Sequence, residues 1–192
     1  QASKSSLFFL RPSAAENRLF VEINSIVKGI ISSLKSPSDK VHHALVDNEK
    51  TRFKSIGKSA LAQSICNNDK IKEAYGEDNI FWIDVYNKNT TRREILSNIC
   101  FRVLKNLVFD AIVPDAYVVT KLKSVMNSDA QLKKKRILIV LDNVSHHSQI
   151  VDVVSTIFTG TNTRVLMTSS NENLFTNMKN SVKVTYAGLL ND

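Results

Sequence analysis

A chain of 192 residues suits one domain with at most a small appendage. It is 43% hydrophobic and 23% charged, enough for a real core, while no apolar run approaches a membrane span and two cysteines exclude a disulfide framework. The net charge of +8 admits a polyanionic ligand or an acidic partner, but the basic residues are dispersed, with one tight cluster at Lys133-Lys134-Lys135-Arg136.

The chain opens on Gln1, as an excised piece of a longer protein would, and residues 1–11 read as a tail or linker. Ser13-Ala-Ala-Glu16 has the spacing of a capping box. Leu19, Phe20, Ile23, Ile26, Val27, Ile30, Ile31 and Leu34 then form one apolar stripe at helical period, and Ser36-Pro37 ends it. Val41 to Val46 is a short candidate strand. A polar loop, Asp47 to Ile56, leads to Gly57, and the helix after Lys58 turns Leu61, Ala62 and Ile65 inward. Asn79 to Val85 reads as a buried strand with Phe81 and Trp82 in the core. Thr91-Arg-Arg-Glu94 is a second capping box, opening a helix with Ile95, Leu96, Ile99, Val103 and Leu107 on one face. Pro114-Asp115 starts a helix that runs to about Met126. The basic cluster ending at Arg136 reads as a solvated lead-in to the strand Ile137–Leu141. A helix around Gln149–Phe158, a strand Arg164–Thr168, a short helix near Glu172–Met178 and a strand Val182–Tyr186 complete the chain. Strands alternating with helices predict an α/β fold: a mostly parallel sheet of about five strands with helices on both faces. Cys66 and Cys100 fall in apolar helical patterns and are expected as buried free thiols, which fits a reducing, cytoplasmic setting.

Two segments carry chemistry. Ile137-Leu-Ile-Val-Leu141 is apolar enough to be buried on both faces of a parallel sheet, and it ends in Asp142, where such sheets bind ligands. Upstream, Gly57-Lys58-Ser59 enters a helix. A Gly-Lys-Ser at a helix start, paired with a later apolar strand ending in Asp, is how P-loop proteins hold a nucleotide and its Mg²⁺. Lys58 would set a cation against the β- and γ-phosphates, Ser59 would offer its hydroxyl to the ion, and Asp142 would hold the ion directly or through water. The helix start itself offers free N–H groups and a positive dipole to an anion. His42-His43 and His146-His147 are not chelates, because adjacent residues on a strand face opposite ways.

Four ordered blocks resemble the NB-ARC domain, a branch of the STAND class of P-loop ATPases that includes cell-death adaptors and plant disease-resistance receptors. They are Gly57-Lys-Ser-Ala-Leu-Ala-Gln63, Asp78-Asn-Ile-Phe-Trp-Ile-Asp-Val85, Ile137-Leu-Ile-Val-Leu-Asp-Asn-Val144 and Thr163-Arg-Val-Leu-Met-Thr-Ser169. The resemblance implies a three-layer P-loop NTPase fold over residues 12–192, without the helical and winged-helix subdomains. It implies ADP or ATP with Mg²⁺, held by Gly57, Lys58, Ser59 and Ala60, with Ser59 and Asp142 on the metal. It further implies a signalling or cell-death switch with protein partners through flanking domains, and oligomers in the full-length protein.

The departures concern turnover. Arg52 stands where the P-loop's first Gly belongs, and Phe53-Lys-Ser-Ile56 holds none, although a phosphate cradle favours Gly. Asn143 replaces the second acid of the strand, and Ser169 or Ser170 stands where an Arg would sense the terminal phosphate. No residue is therefore assigned to catalysis, and hydrolysis is expected to be slow or absent. A nucleotide-free scaffold with a decayed P-loop and a DNA-associated AAA+-like ATPase are the other two readings of this sequence.

Overall fold

The computed structural model describes residues 14–36, 41–47, 57–85, 90–104, 109–110, 112–158, 161–178 and 181–186, with side chains from residue 23 onward. The expected tail, Ser13, Arg52 with the rest of the 48–56 loop, and Leu107 lie outside the described residues.

Helix α1 (Ala14–Lys35) precedes strand β1 (His42–Val46), followed by α2 (Lys58–Cys66) and α3 (Asp69–Tyr75). Then come β2 (Ile80–Asp84), α4 (Arg92–Val103), α5 (Asp115–Ser128) and the short α6 (Ala130–Lys134). Strands β3 (Ile137–Val144), β4 (Thr163–Ser169) and β5 (Val182–Tyr186) complete the described part of the chain. The five strands form one sheet in the order β2-β3-β4-β1-β5, and every pairing is parallel. Parallel neighbours need crossovers, and the intervening helices supply them on both faces.

The alternation of side chains along each strand divides the interior into two layers. Ile137, Ile139 and Leu141 of β3 join Val165 and Met167 of β4 on the face covered by α4 and α5. Leu138, Val140 and Leu166 point the other way, against Ile30 and Leu34 of α1, Ile65 of α2 and Ile71 of α3. All of these are buried. This two-sided burial is why Ile137–Leu141 reads as an unbroken apolar run.

The structure departs from the expected elements in several places, among them the short helix α6 over Ala130–Lys134, which was not expected, and β3, which runs on past Leu141 to Val144. Strand β2 is at the sheet edge, so Phe81 and Trp82 are only partly buried. Helix α3 has no counterpart among the expected elements, although its signals are present: the Asn68 side chain accepts from the Lys70 N–H at 3.1 Å, and Ile71 and Tyr75 are buried one turn apart. The helix expected around Gln149–Phe158 is irregular. It widens over Val153–Ile157, where the Phe158 N–H reaches back five residues to the Val153 carbonyl at 3.3 Å.

Arg136 also departs from its expected place. It is no solvated lead-in. Its guanidinium lies 4.8 Å from the Tyr75 ring centroid and donates to the Leu34 carbonyl at 2.7 Å. The Tyr75 hydroxyl donates to the same carbonyl at 2.7 Å, so the pair closes the carboxyl end of α1 and locks it to α3. The free cysteines Cys66 and Cys100 are buried as expected, and burial pushes both thiols up to about 11.

The strand order places the site. From β1 the chain crosses to β2 at the far edge, then returns through β3 and β4 to the neighbour of β1. The carboxyl ends of β1, β4 and β3 thus lie side by side where the winding direction changes, which is where open α/β sheets form a ligand crevice.

Candidate functional site

The crevice is a cleft of about 470 Å³ at those strand ends, lined by Gly57, Lys58, Ser59, Asp84, Asp142 and Thr168 among others. Three of the four residues expected to hold nucleotide meet there with the expected metal ligand, Asp142. The fourth, Ala60, sits exposed on the first turn of α2, outside the lining.

Gly57 is the residue that starts α2. Its φ of 61° is left-handed, and a Cβ there would meet nothing closer than the Ala60 Cβ at 3.8 Å. Space does not demand glycine at this position; the backbone angle does. Its carbonyl accepts from the Leu61 N–H at 2.6 Å and so begins the helical ladder. No side chain caps this end, and the first turn holds no acidic residue. The first N–H groups of α2 therefore lack partners within their own helix, and no acid of that helix sits on the positive end of its dipole.

Asp142 owes its position to an irregularity. The β3–β4 register shifts between Leu141 and Val144, and Asn143 takes up the extra residue with a φ of 66°. Asn tolerates this left-handed conformation better than most residues. The Asn143 N–H donates to the Thr168 hydroxyl at 2.8 Å, and the Thr168 hydroxyl in turn donates to Asp142 Oδ1. Ser59 donates to the same oxygen at 2.8 Å. Two hydroxyls from different elements thus hold one carboxylate against the start of α2. Asp84 stands beside Asp142 across the β2–β3 ladder, with its Oδ1 accepting from the Trp82 indole at 2.7 Å.

Lys58 points to a partner in the stretch expected as a loop. Its ammonium donates to Asp47 Oδ2 at 2.6 Å, and the two side chains are only 12% and 10% exposed. Asp47 directly follows β1, so it occupies the same kind of place as Asp142, the end of an apolar strand. Lying at a strand end was the signal available in the sequence for Asp47, as it was for Thr168 and Asp84.

Ser169 and Ser170, which align with the missing Arg, behave differently from each other. Ser169 is fully buried, donates to the Val144 carbonyl at 2.8 Å and accepts from the Asn171 N–H at 3.0 Å, while Ser170 is exposed. Neither carries positive charge to the cleft. His42 and His43 are buried, and His146 and His147 are exposed. No cluster of three or more metal-ligating side chains occurs among the described residues. A second hollow of about 440 Å³ lies against β5 and includes Phe175, Val182 and Tyr186, but it shares none of the groups that converge on Asp142. Among the described residues no helix is long and apolar enough to cross a membrane.

Several solved structures share the fold. A structure of Drosophila ORC bound to AT-rich DNA and Cdc6 matches at 12% identity and a TM-score of 0.59, over 92% of this chain and 61% of that one. A second, of Drosophila ORC bound to GC-rich DNA and Cdc6, matches at 13% identity and a TM-score of 0.58, over 93% of this chain and 62% of that one. The Aeropyrum pernix ORC2 protein in ADPNP-ADP complexes matches at 14% identity and a TM-score of 0.51, over 94% of this chain and 50% of the other. The chain thus spans between half and two thirds of these neighbours. No curated protein is similar in sequence at a significant level. The model of the NB-ARC domain matches residues 24–192, and this chain therefore belongs to the NB-ARC family of nucleotide-binding modules.

Proposed function

We propose that this domain is an ADP- or ATP-binding switch module of a cytoplasmic signalling or cell-death regulator, with little or no hydrolysis of its own. The observation that carries this reading is the convergence of Lys58 and Ser59, at an uncapped helix start, with Asp142 at the end of β3, joined by the 2.8 Å Ser59–Asp142 bond. The residues present suit a Mg-nucleotide. The N–H groups of α2 and the Lys58 cation would receive the phosphates. Ser59 and Asp142 would hold Mg²⁺, which neutralises phosphate charge when bound. Nucleotide state would set which surfaces are offered to partner proteins and to oligomer formation through flanking domains.

Weak turnover is supported by two residues. Asn143 is a neutral amide and takes no proton from water. Ser169 is committed to the Val144 carbonyl, so nothing there neutralises charge growing on a terminal phosphate. An Arg in that role contributes roughly 10³–10⁵ in related phosphoryl transfers.

The test is nucleotide retention and a thermal shift. Purified protein, denatured and chromatographed, should release adenine nucleotide. Mg-ADP at about 100 times its dissociation constant should stabilise the domain by roughly 2.7 kcal/mol. The Lys58→Ala variant should lose that shift, and phosphate release from ATP by wild type should not exceed that of this variant. If neither protein retains or responds to nucleotide, the domain is an interaction scaffold, a reading favoured by the pairing of Lys58 with a carboxylate of its own chain.

A further inference from the structure

The residue that touches Lys58 belongs to none of the expected site groups. Asp47 follows β1 directly and reaches Lys58 Nζ at 2.6 Å, in a contact that is nine-tenths shielded from water on the carboxylate side. Ten positions separate Asp47 from Gly57, so the carboxylate is carried by the strand end and the ammonium by the helix start. The first turn of α2 itself has no acid and no side-chain cap. Asp142 is already occupied by the Ser59 and Thr168 hydroxyls.

We propose that Asp47 is an internal competitor for the Lys58 cation, so that it weakens phosphate binding and sets the nucleotide affinity of the site. This rests on the nucleotide-binding reading above and adds its regulation. A phosphate arriving at the start of α2 needs the same ammonium that Asp47 holds. A shielded charge–charge hydrogen bond is strong, and it must be exchanged rather than simply joined, because a phosphate and the Asp47 carboxylate repel each other. Removing the Asp47 charge leaves a shielded ammonium without its anion. The bound state then gains relative to the free state, and affinity rises. The effect is confined to ligands that carry phosphate. The adenine and ribose of the ligand do not depend on Lys58.

The experiment titrates the full chain with Mg-ADP and, separately, with adenosine, by calorimetry. Asp47→Asn is close to isosteric, and Asp47→Ser serves if the first variant does not fold. Either should bind Mg-ADP on the order of tenfold tighter than wild type, in line with the coupling of close charge pairs. Adenosine affinity should not change. A second measurement needs no nucleotide: acylation of the Lys58 amine, followed by mass spectrometry, should be faster in Asp47→Asn than in wild type. Equal or weaker Mg-ADP binding by Asp47→Asn, while wild type binds, overturns the proposal. So does an unchanged acylation rate. Faster acylation with no nucleotide binding by either protein overturns instead the nucleotide reading on which the competition depends.

Discussion

Helices α2 and α4 begin in similar settings, just past the strand ends of one sheet, and the chain finishes them in opposite ways. At α4 the Thr91 hydroxyl accepts from the Glu94 N–H at 3.2 Å, and the Glu94 carboxylate accepts from the Thr91 N–H at 2.6 Å. Two orphan donors are satisfied inside the protein, and an acid sits on the positive end of the dipole. At α2 the equivalent positions are Gly57 and Ala60. Neither side chain accepts a hydrogen bond, and neither carries charge. A helix start that is fully capped is finished as structure, whereas one left open keeps its donors and its field for water or for a ligand. In this molecule the open one faces Asp142 and carries the lysine.

The largest expected effect concerns the sheet that both helices share, and it sets the conditions for comparing them. His42 lies at the start of β1, where its Nδ1 accepts from the Val165 N–H at 3.1 Å. Burial, with the Arg164 charge second, pushes it from 6.5 down to about 4. The folded protein thus refuses a proton that the unfolded chain accepts near pH 6.5. Stability from this group is complete above that pH. It falls as pH drops from 6.5 toward 4, by about 3 kcal/mol over the whole window, and falls no further below it. Urea midpoints at neutral pH and at pH near 5 should show the decline in wild type and a shallower one in His42→Asn. Equal slopes would mean that His42 is not held neutral by the fold.

The next effect makes α2 resemble α4. Ala60→Glu puts an acid where α4 has Glu94. It should stabilise the helix by about 0.5 kcal/mol and weaken Mg-ADP binding about tenfold, or about 1.4 kcal/mol, because the new carboxylate repels phosphate. Calorimetric titration beside a denaturation curve separates the two. Undiminished affinity would show that no anion binds at this helix start.

The smallest effect makes α4 resemble α2. Thr91→Ala removes the cap and should cost about 1 kcal/mol in chemical denaturation, with Mg-ADP affinity unchanged. A loss of affinity comparable to that of Ala60→Glu would mean that the α4 start also takes part in the cleft, and the contrast between the two helices would fail.

The sequence alone determined the features that depend on local periodicity and on covalently close residues. The β3 strand, the β5 bounds, the α4 capping box and the Gly57-Lys58-Ser59 helix start were all legible, because apolar spacing, caps and a Gly-Lys-Ser turn act over a few residues. Tertiary structure alone decided the rest. The edge position of β2 depends on strand order, which no local pattern encodes, so Phe81 and Trp82 looked more buried than they are. Arg136 looked solvated because its partners, Tyr75 and the Leu34 carbonyl, come from distant helices. Asn143 was readable as a missing acid, but the bulge that it accommodates appears only when β3 pairs with β4. The Lys58–Asp47 pair belongs to the same class. Each residue was visible in the sequence, yet an ion pair is a matter of a few ångströms, and only the packing of α2 against the end of β1 brought the two charges within reach.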